Sequence, residues 1–186
     1  MSLIAACKSD ELASPKPRTY PRIDFPEKKF QKHQNENCPF VFEYPVYARV
    51  QKDSLFAGEE TDNLCWFDVV IPAFNGRIHC SYYSLDAQNQ LDSLIYDSFA
   101  LVGRHNIKAK YIKETPLVLE GGGGGMLFNI SGPVASPTQF FVTDSSKHFL
   151  RGSLYFYNKV KLDSMRIIHD FVDEDIDHLL QTFYWE

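Results

Sequence analysis

Asp144, Ser145, Ser146 and His148 bring a carboxylate, two hydroxyls and an imidazole together, the groups that nucleophilic hydrolysis uses. A working triad needs a base touching the nucleophile, an acid orienting the base, and an oxyanion hole beyond them. Residues this close in sequence, straddling a hairpin turn, rarely meet those demands. Asp and Ser are also the residues that close tight turns with their own side chains. The segment therefore reads as a turn, and no catalytic residue is assigned. The polar and basic Lys147, His148 and Arg151 beside it are candidate partner-binding residues.

Gly121 to Gly125 holds half of the ten glycines. A phosphate-binding loop would need a Lys-Ser/Thr pair and a following helix. Here Met126-Leu127-Phe128 follows, a strand-like run, so the glycines read as a flexible loop or β-bulge and no nucleotide site is expected. His169 and His178 are nine residues apart on one helix, too far to share neighbouring turns as a metal pair would. No cysteine or histidine spacing matches a zinc site, and neither metal nor cofactor is expected.

Four cysteines are present: Cys7, Cys38, Cys65 and Cys80. Cys38 and Cys65 each precede a strand-like run at the mouth of a loop, whereas Cys80 lies within a strand, where a free thiol is an ordinary core residue. A Cys38–Cys65 disulfide is favoured, in a compartment that permits one.

These groups need elements to position them. The 186 residues carry 44% apolar and 15% aromatic side chains and a formal net charge of −5. That is a globular, β-leaning composition with room for a real core. No basic stripe or Lys/Arg cluster stands out, and nucleic acid is not an expected partner. Phe40 to Tyr44 reads as a strand continued by Tyr47 to Val50, and residues 52–63 as a polar loop. Trp66 to Ile71 and Ile78 to Tyr83 form a hairpin, with Asn75-Gly76 as a type I′ turn. Leu91, Leu94, Ile95, Phe99 and Val102 share one helical face, with Asp86 or Asn89 as cap and Gly103 near the end. Two short strands are expected around Ala109–Lys113 and Leu117–Glu120, then one at Met126 to Ile130. A second hairpin joins Gln139–Thr143 to Phe149–Tyr157. A final helix from Asp163 to Phe183 has Met165, Ile168, Val172, Ile176, Leu179 and Phe183 on one face. Its Asp170, Asp173, Glu174 and Asp177 fall largely on the others. The order predicts an α+β fold: a single antiparallel β-sheet with two main helices packed against it.

Residues 1–22 differ in kind. Ile4-Ala5-Ala6-Cys7 resembles a lipobox, whose cysteine thiol carries a diacylglycerol thioether. The basic and apolar regions of a whole signal are missing before it, so the start reads as a truncated remnant. Pro15, Pro17 and Pro21 lie in a polar stretch suited to a tether. Residues 1–22 are thus signal remnant and tether, residues 23–186 one α+β domain, and Cys7 the expected lipidation site.

Several long segments carry a family resemblance. Arg22-Ile23-Asp24-Phe25-Pro26-Glu27-Lys28-Lys29-Phe30, Cys38-Pro39-Phe40-Val41-Phe42-Glu43-Tyr44-Pro45, Cys65-Trp66, Phe74-Asn75-Gly76, the run from Gln139 to Gly152 and Asp175-Ile176-Asp177-His178-Leu179-Leu180 resemble the gliding-motility lipoprotein GldD family. The glycine run is longer than that family suggests. Cys80 is atypical of it, which again favours Cys38 and Cys65 as the pair. The resemblance implies a lipid-anchored cell-envelope protein, facing the periplasm, in the outer membrane or at the cell surface. It would be required for gliding motility and the associated type IX secretion, acting as a non-enzymatic accessory or scaffold on other envelope proteins. A small-ligand carrier or sensor is the alternative, a hydrolase a more distant one. A fold like that of PsbP and Mog1 proteins is a further, fold-level expectation without functional content.

Overall fold

A computed structural model describes residues 23–52, 55–56, 59–60, 63–157 and 162–186. Cys7 and the expected tether lie outside the described residues.

Strand β1 (Phe30–Gln34) pairs antiparallel with β2 (Phe40–Pro45), in register from Phe30 opposite Pro45 to Gln34 opposite Val41. Pro45 ends β2, and a turn closed by the Ala48 N–H on the Pro45 carbonyl redirects the chain. The next strand, β3 (Arg49–Lys52), joins a different sheet instead of continuing β2. A two-stranded ribbon, β4 (Leu55–Phe56) with β5 (Glu59–Glu60), lies within the expected loop.

The expected first hairpin forms as β6 (Phe67–Ile71) and β7 (Gly76–Ser84). Its connection is not a type I′ turn. Pro72–Phe74 make a short 3-10 turn and only Asn75 is left-handed, at φ 48°. A Cβ at Gly76 would lie 3.1 Å from the Phe156 ring, which would have to shift by a few tenths of an ångström to admit it. Helix α1 (Leu91–Gly103) starts without a side-chain cap, because Asp86 Oδ1 instead accepts the Gln88 and Asn89 N–H groups at 2.8 Å each. Gly103 is right-handed, so the helix runs on into a 3-10 turn over Arg104–Ile107.

The two short strands expected next are one, β8 (Tyr111–Val118), paired along its whole length with β9 (Gly124–Ser131). Pro116 is tolerated because β8 is an edge, where a missing N–H breaks no ladder on the outer side. Then come β10 (Thr138–Thr143), β11 (His148–Phe156), helix α2 (Leu162–Thr182) and β12 (Tyr184–Trp185).

The α+β class holds, but the sheet is not single. A seven-stranded antiparallel sheet runs β3-β6-β7-β11-β10-β9-β8, and a separate three-stranded sheet runs β1-β2-β12. Period-two alternation sends Phe67, Val69, Ile78, Phe140, Leu150 and Leu154 to one face of the large sheet, where they meet Phe40 and Phe42 of the small one. Ile168, Val172, Ile176, Leu179 and Phe183 of α2 close that core, as their helical spacing predicts. Fully burying one such Phe or Leu contributes about 1.5–3 kcal/mol. The opposite face buries Phe128, Ile130, Phe141 and Phe149 under Leu94 and Val102 of α1.

Candidate functional site

The β10–β11 turn uses its acid on the backbone. Asp144 Oδ1 accepts the N–H groups of Ser146, Lys147 and His148 at 3.0, 2.8 and 2.8 Å, and Oδ2 accepts the Ser146 hydroxyl at 3.1 Å. Partial burial alone would raise its pKa. The hydrogen bonds from Lys147, Ser146 and His148 outweigh that and hold it at about 2. Ser145 takes a left-handed φ of 64° and donates its N–H to Thr143 Oγ1 at 2.9 Å. The acid and the Ser146 hydroxyl form a turn cap, and the His148 imidazole points elsewhere.

His148 faces the large core. Its Nδ1 lies 2.8 Å from the Tyr82 hydroxyl, and its ring stacks on Trp185 at 5.2 Å between centroids. Burial is the main influence lowering its pKa, so the ring is neutral at pH 7. Strand alternation therefore splits the three partner-binding candidates. His148 shares a face with Leu150, whereas Arg151 falls on the face of Phe149, half-buried between Phe141 and Ser81 in the ladder. Lys147 is exposed at the turn, and its carbonyl accepts the Leu85 N–H at 2.8 Å.

Cys38 and Cys65 are joined as a disulfide, with Cα atoms 5.5 Å apart. The bond ties the β1–β2 turn of the small sheet to the start of β6 in the large one. Cys80 is buried and free, and burial together with the nearby Asp68 raises its pKa well above the ordinary thiol value. The disulfide, His33, Phe40, Gln51 and Phe67 line a cleft of about 150 Å³. Sites for drug-sized ligands occupy roughly 300–1,000 Å³.

Three polar clusters went unread in the sequence. Asp68, 1% exposed, meets Arg77 Nη1 at 2.7 Å and His79 Nδ1 at 2.6 Å, with Gln51 Nε2 at 3.5 Å. The His79 contact is an ion-pair distance without hydrogen-bond geometry for Oδ1. A lone carboxylate inside Phe67-Asp68-Val69-Val70-Ile71 was the available signal, since a buried charge demands partners.

Asp175, 2% exposed on α2, accepts from Lys28 Nζ at 3.0 Å and from the Tyr47 hydroxyl. Burial raises its pKa, partly offset by Tyr47 and Lys28. Tyr47 is raised in turn, by burial and then by Asp175. Thr138 Oγ1 donates to Asp173 Oδ1 at 2.6 Å and lies 2.7 Å from His169 Nε2. That same Nε2 is 3.1 Å from Asp173. A proton relay needs the hydroxyl and the acid on different ring nitrogens. Here both use one, and the cluster latches α2 to β10.

The model of the family described as gliding motility lipoprotein GldD matches residues 10–185 of this chain. Among curated proteins none matches. Among solved structures the chain is similar to the solution structure of cyanobacterial PsbP (CyanoP) from Synechocystis sp. PCC 6803. The two are 8% identical, the alignment covers 93% of this chain and 100% of that one, and the TM-score is 0.48.

Proposed function

The chain belongs to the gliding motility lipoprotein GldD family, and from that membership we propose an accessory or scaffold role in the cell envelope, supporting gliding and the associated type IX secretion. The observation that carries this reading is the family match along nearly the whole chain. The lipid would sit on Cys7, outside the described residues, and hold the domain at an envelope membrane, facing the periplasm or the cell surface. Among the described residues no helix is long and apolar enough to cross a membrane, so in this reading attachment falls to the lipid.

The role proposed is binding, without catalysis. Its support is that the reactive-looking groups are engaged in the fold: Asp144 on turn amides, Asp173 and His169 on Thr138, and Asp68 on Arg77 and His79. Lys147 and Arg151 would meet other envelope proteins. Reversing both charges is expected to weaken colony spreading while the domain stays folded, with some loss of melting temperature because Arg151 is half-buried, and a normally spreading double variant would sink that surface.

The secreted proteome and colony spreading of a strain lacking the gene test the role itself. Loss of exported adhesins together with spreading places the protein with secretion. Loss of spreading alone restricts it to motility. If both are normal, the proposed role is wrong.

A further inference from the structure

Between Ser98 and Lys113 the chain has no acidic residue, yet it carries Arg104, His105, Lys108, Lys110 and Lys113 against a formal net charge of −5 overall. These residues form a local basic cluster that the fold leaves at the surface. Arg104, Lys108 and Lys110 are all exposed, and among the described residues none has an ion pair. Lys113, one turn of strand further on, already interacts with Asp177 and is set aside.

Interleaved with these cations are two apolar side chains that the core leaves out. Ile107 is 93% exposed and Tyr111 62%. The backbone holding them is pinned. Lys108 and Ala109 donate to the His105 carbonyl at 2.9 and 2.8 Å, and Lys110 donates to the Ser131 carbonyl at 2.7 Å. The 3-10 turn and the start of β8 thus present a large aliphatic and an aromatic side chain, with exposed cations between and beside them in the chain.

The position of this turn supplies the second argument. Strand directions place the start of β8 at the end of the large sheet that also holds the β6–β7 connection and the last residues of β11. The N-terminal segment packs at that same end. Phe25 lies 5.7 Å from Phe74 in the β6–β7 connection and 4.6 Å from Phe171. Four strand spacings separate β7 from β8, about 19 Å. The start of the described chain and the basic turn therefore share one end of the sheet.

We propose that the Arg104–Tyr111 turn docks on an anionic phospholipid surface, with Arg104, Lys108 and Lys110 on lipid phosphates and Ile107 and Tyr111 entering the headgroup layer. Cations beside a bilayer attract anionic lipids, and a tyrosine suits the interface because its ring is apolar and its hydroxyl is not. A diacylglycerol thioether already brings two acyl chains, so the turn would orient the domain on the surface and add an electrostatic contact to that attachment. The inference rests on the lipoprotein reading only for its orientation, since the turn itself would bind vesicles without the lipid.

The test uses the full chain without lipid and sedimentation with vesicles. One set is made of equal parts phosphatidylethanolamine and phosphatidylglycerol, the other of phosphatidylethanolamine and phosphatidylcholine. The chain is expected to partition onto the anionic set alone and to be released by salt. Each cation near such a surface is worth about fivefold, so Arg104→Glu/Lys108→Glu/Lys110→Glu should lose on the order of 100-fold. Ile107→Ser should lose roughly tenfold, with an unchanged melting temperature because the side chain is already in solvent.

No binding to the anionic vesicles, or equal binding by the charge-reversed variant, overturns the proposal. If vesicles are ignored but charge reversal abolishes spreading, the face meets an acidic protein and the lipid proposal falls. Absence of lipid labelling at Cys7 would count against the anchor reading, while vesicle binding by the turn would stand.

Discussion

A carboxylate in a tight turn can act on chemistry or on its own backbone, and at Asp144 the backbone has it. Three N–H groups converge on Oδ1, and the pKa is held at about 2, below the ordinary 3.8. For an acid depressed in the folded state, the stabilisation is present above pH 3.8 and is lost as pH falls from there toward 2. The turn is largely exposed, so screening reduces the contribution to about 1 kcal/mol. Asp144→Ala should therefore lower urea stability by about 1 kcal/mol at pH 7, and the gap to wild type should close near pH 2. A gap that stays constant across that range would show that the amide contacts contribute nothing through charge. The turn-capping role was legible in Asp144-Ser145-Ser146, whose types favour it. The split between His148 and Arg151 across the sheet followed only from the register of β11, which the run of residues alone does not set.

Elements with strong periodicity were legible. The apolar spacing of α2 and the alternation of β10 and β11 lie within two residues of where the sequence puts them. Of the small sheet only β2 was, in Phe40 to Tyr44. β1 reads Phe30-Gln31-Lys32-His33-Gln34, mostly polar because one face is solvated, and β12 has two residues, too few for any pattern. The glycine run resolves into two jobs. Gly122 and Gly123 turn the chain at φ 93° and 88°, while Gly125 lies in β9 with the Phe141 carbonyl so close that a Cβ would overlap it. Gly125→Ala must push β9 away from β10, and overpacking of this kind costs about 1–3 kcal/mol. Thermal unfolding should show that loss, whereas Gly121 to Gly125 as a merely flexible loop would tolerate the alanine.

The disulfide acts at the same scale, holding the β1–β2 turn to β6. Its 27-residue separation implies about 3.5 kcal/mol from restricting the unfolded chain. Cys38→Ala/Cys65→Ala should lose most of that in urea, and wild type treated with a reductant should match the double variant.

For the whole molecule, the question is whether two sheets make one folding unit. The covalent link is one bond, but the packing between them is extensive. Phe42 of β2 stacks on Phe67 of β6 at 5.4 Å, Phe40 lies 5.6 Å from the same ring, and both belong to the core that α2 closes. Trp185 of β12 packs edge-on against Phe40 and Phe183 while stacking on His148 of β11, so the last strand of the small sheet leans on the large one. No sheet can open without exposing aromatic surface of the other, which predicts a single cooperative transition.

The two tryptophans report it separately. Trp66 donates to the Tyr82 carbonyl at 2.7 Å beside β6, whereas Trp185 sits in the small sheet. Trp185→Phe keeps an aromatic ring and removes a buried N–H that has no hydrogen-bond partner, so its stability should stay within about 1 kcal/mol of wild type. Fluorescence of that variant follows the large sheet, and that of Trp66→Phe follows the small one. Once each is compared with far-ultraviolet circular dichroism of the same variant, the two probes should give coincident urea midpoints. A fluorescence transition that precedes the loss of secondary structure in Trp66→Phe alone would mean that the small sheet opens first. Residues 23–186 would then be two units joined at Cys38 and Cys65, and the shared aromatic core would be a contact between them.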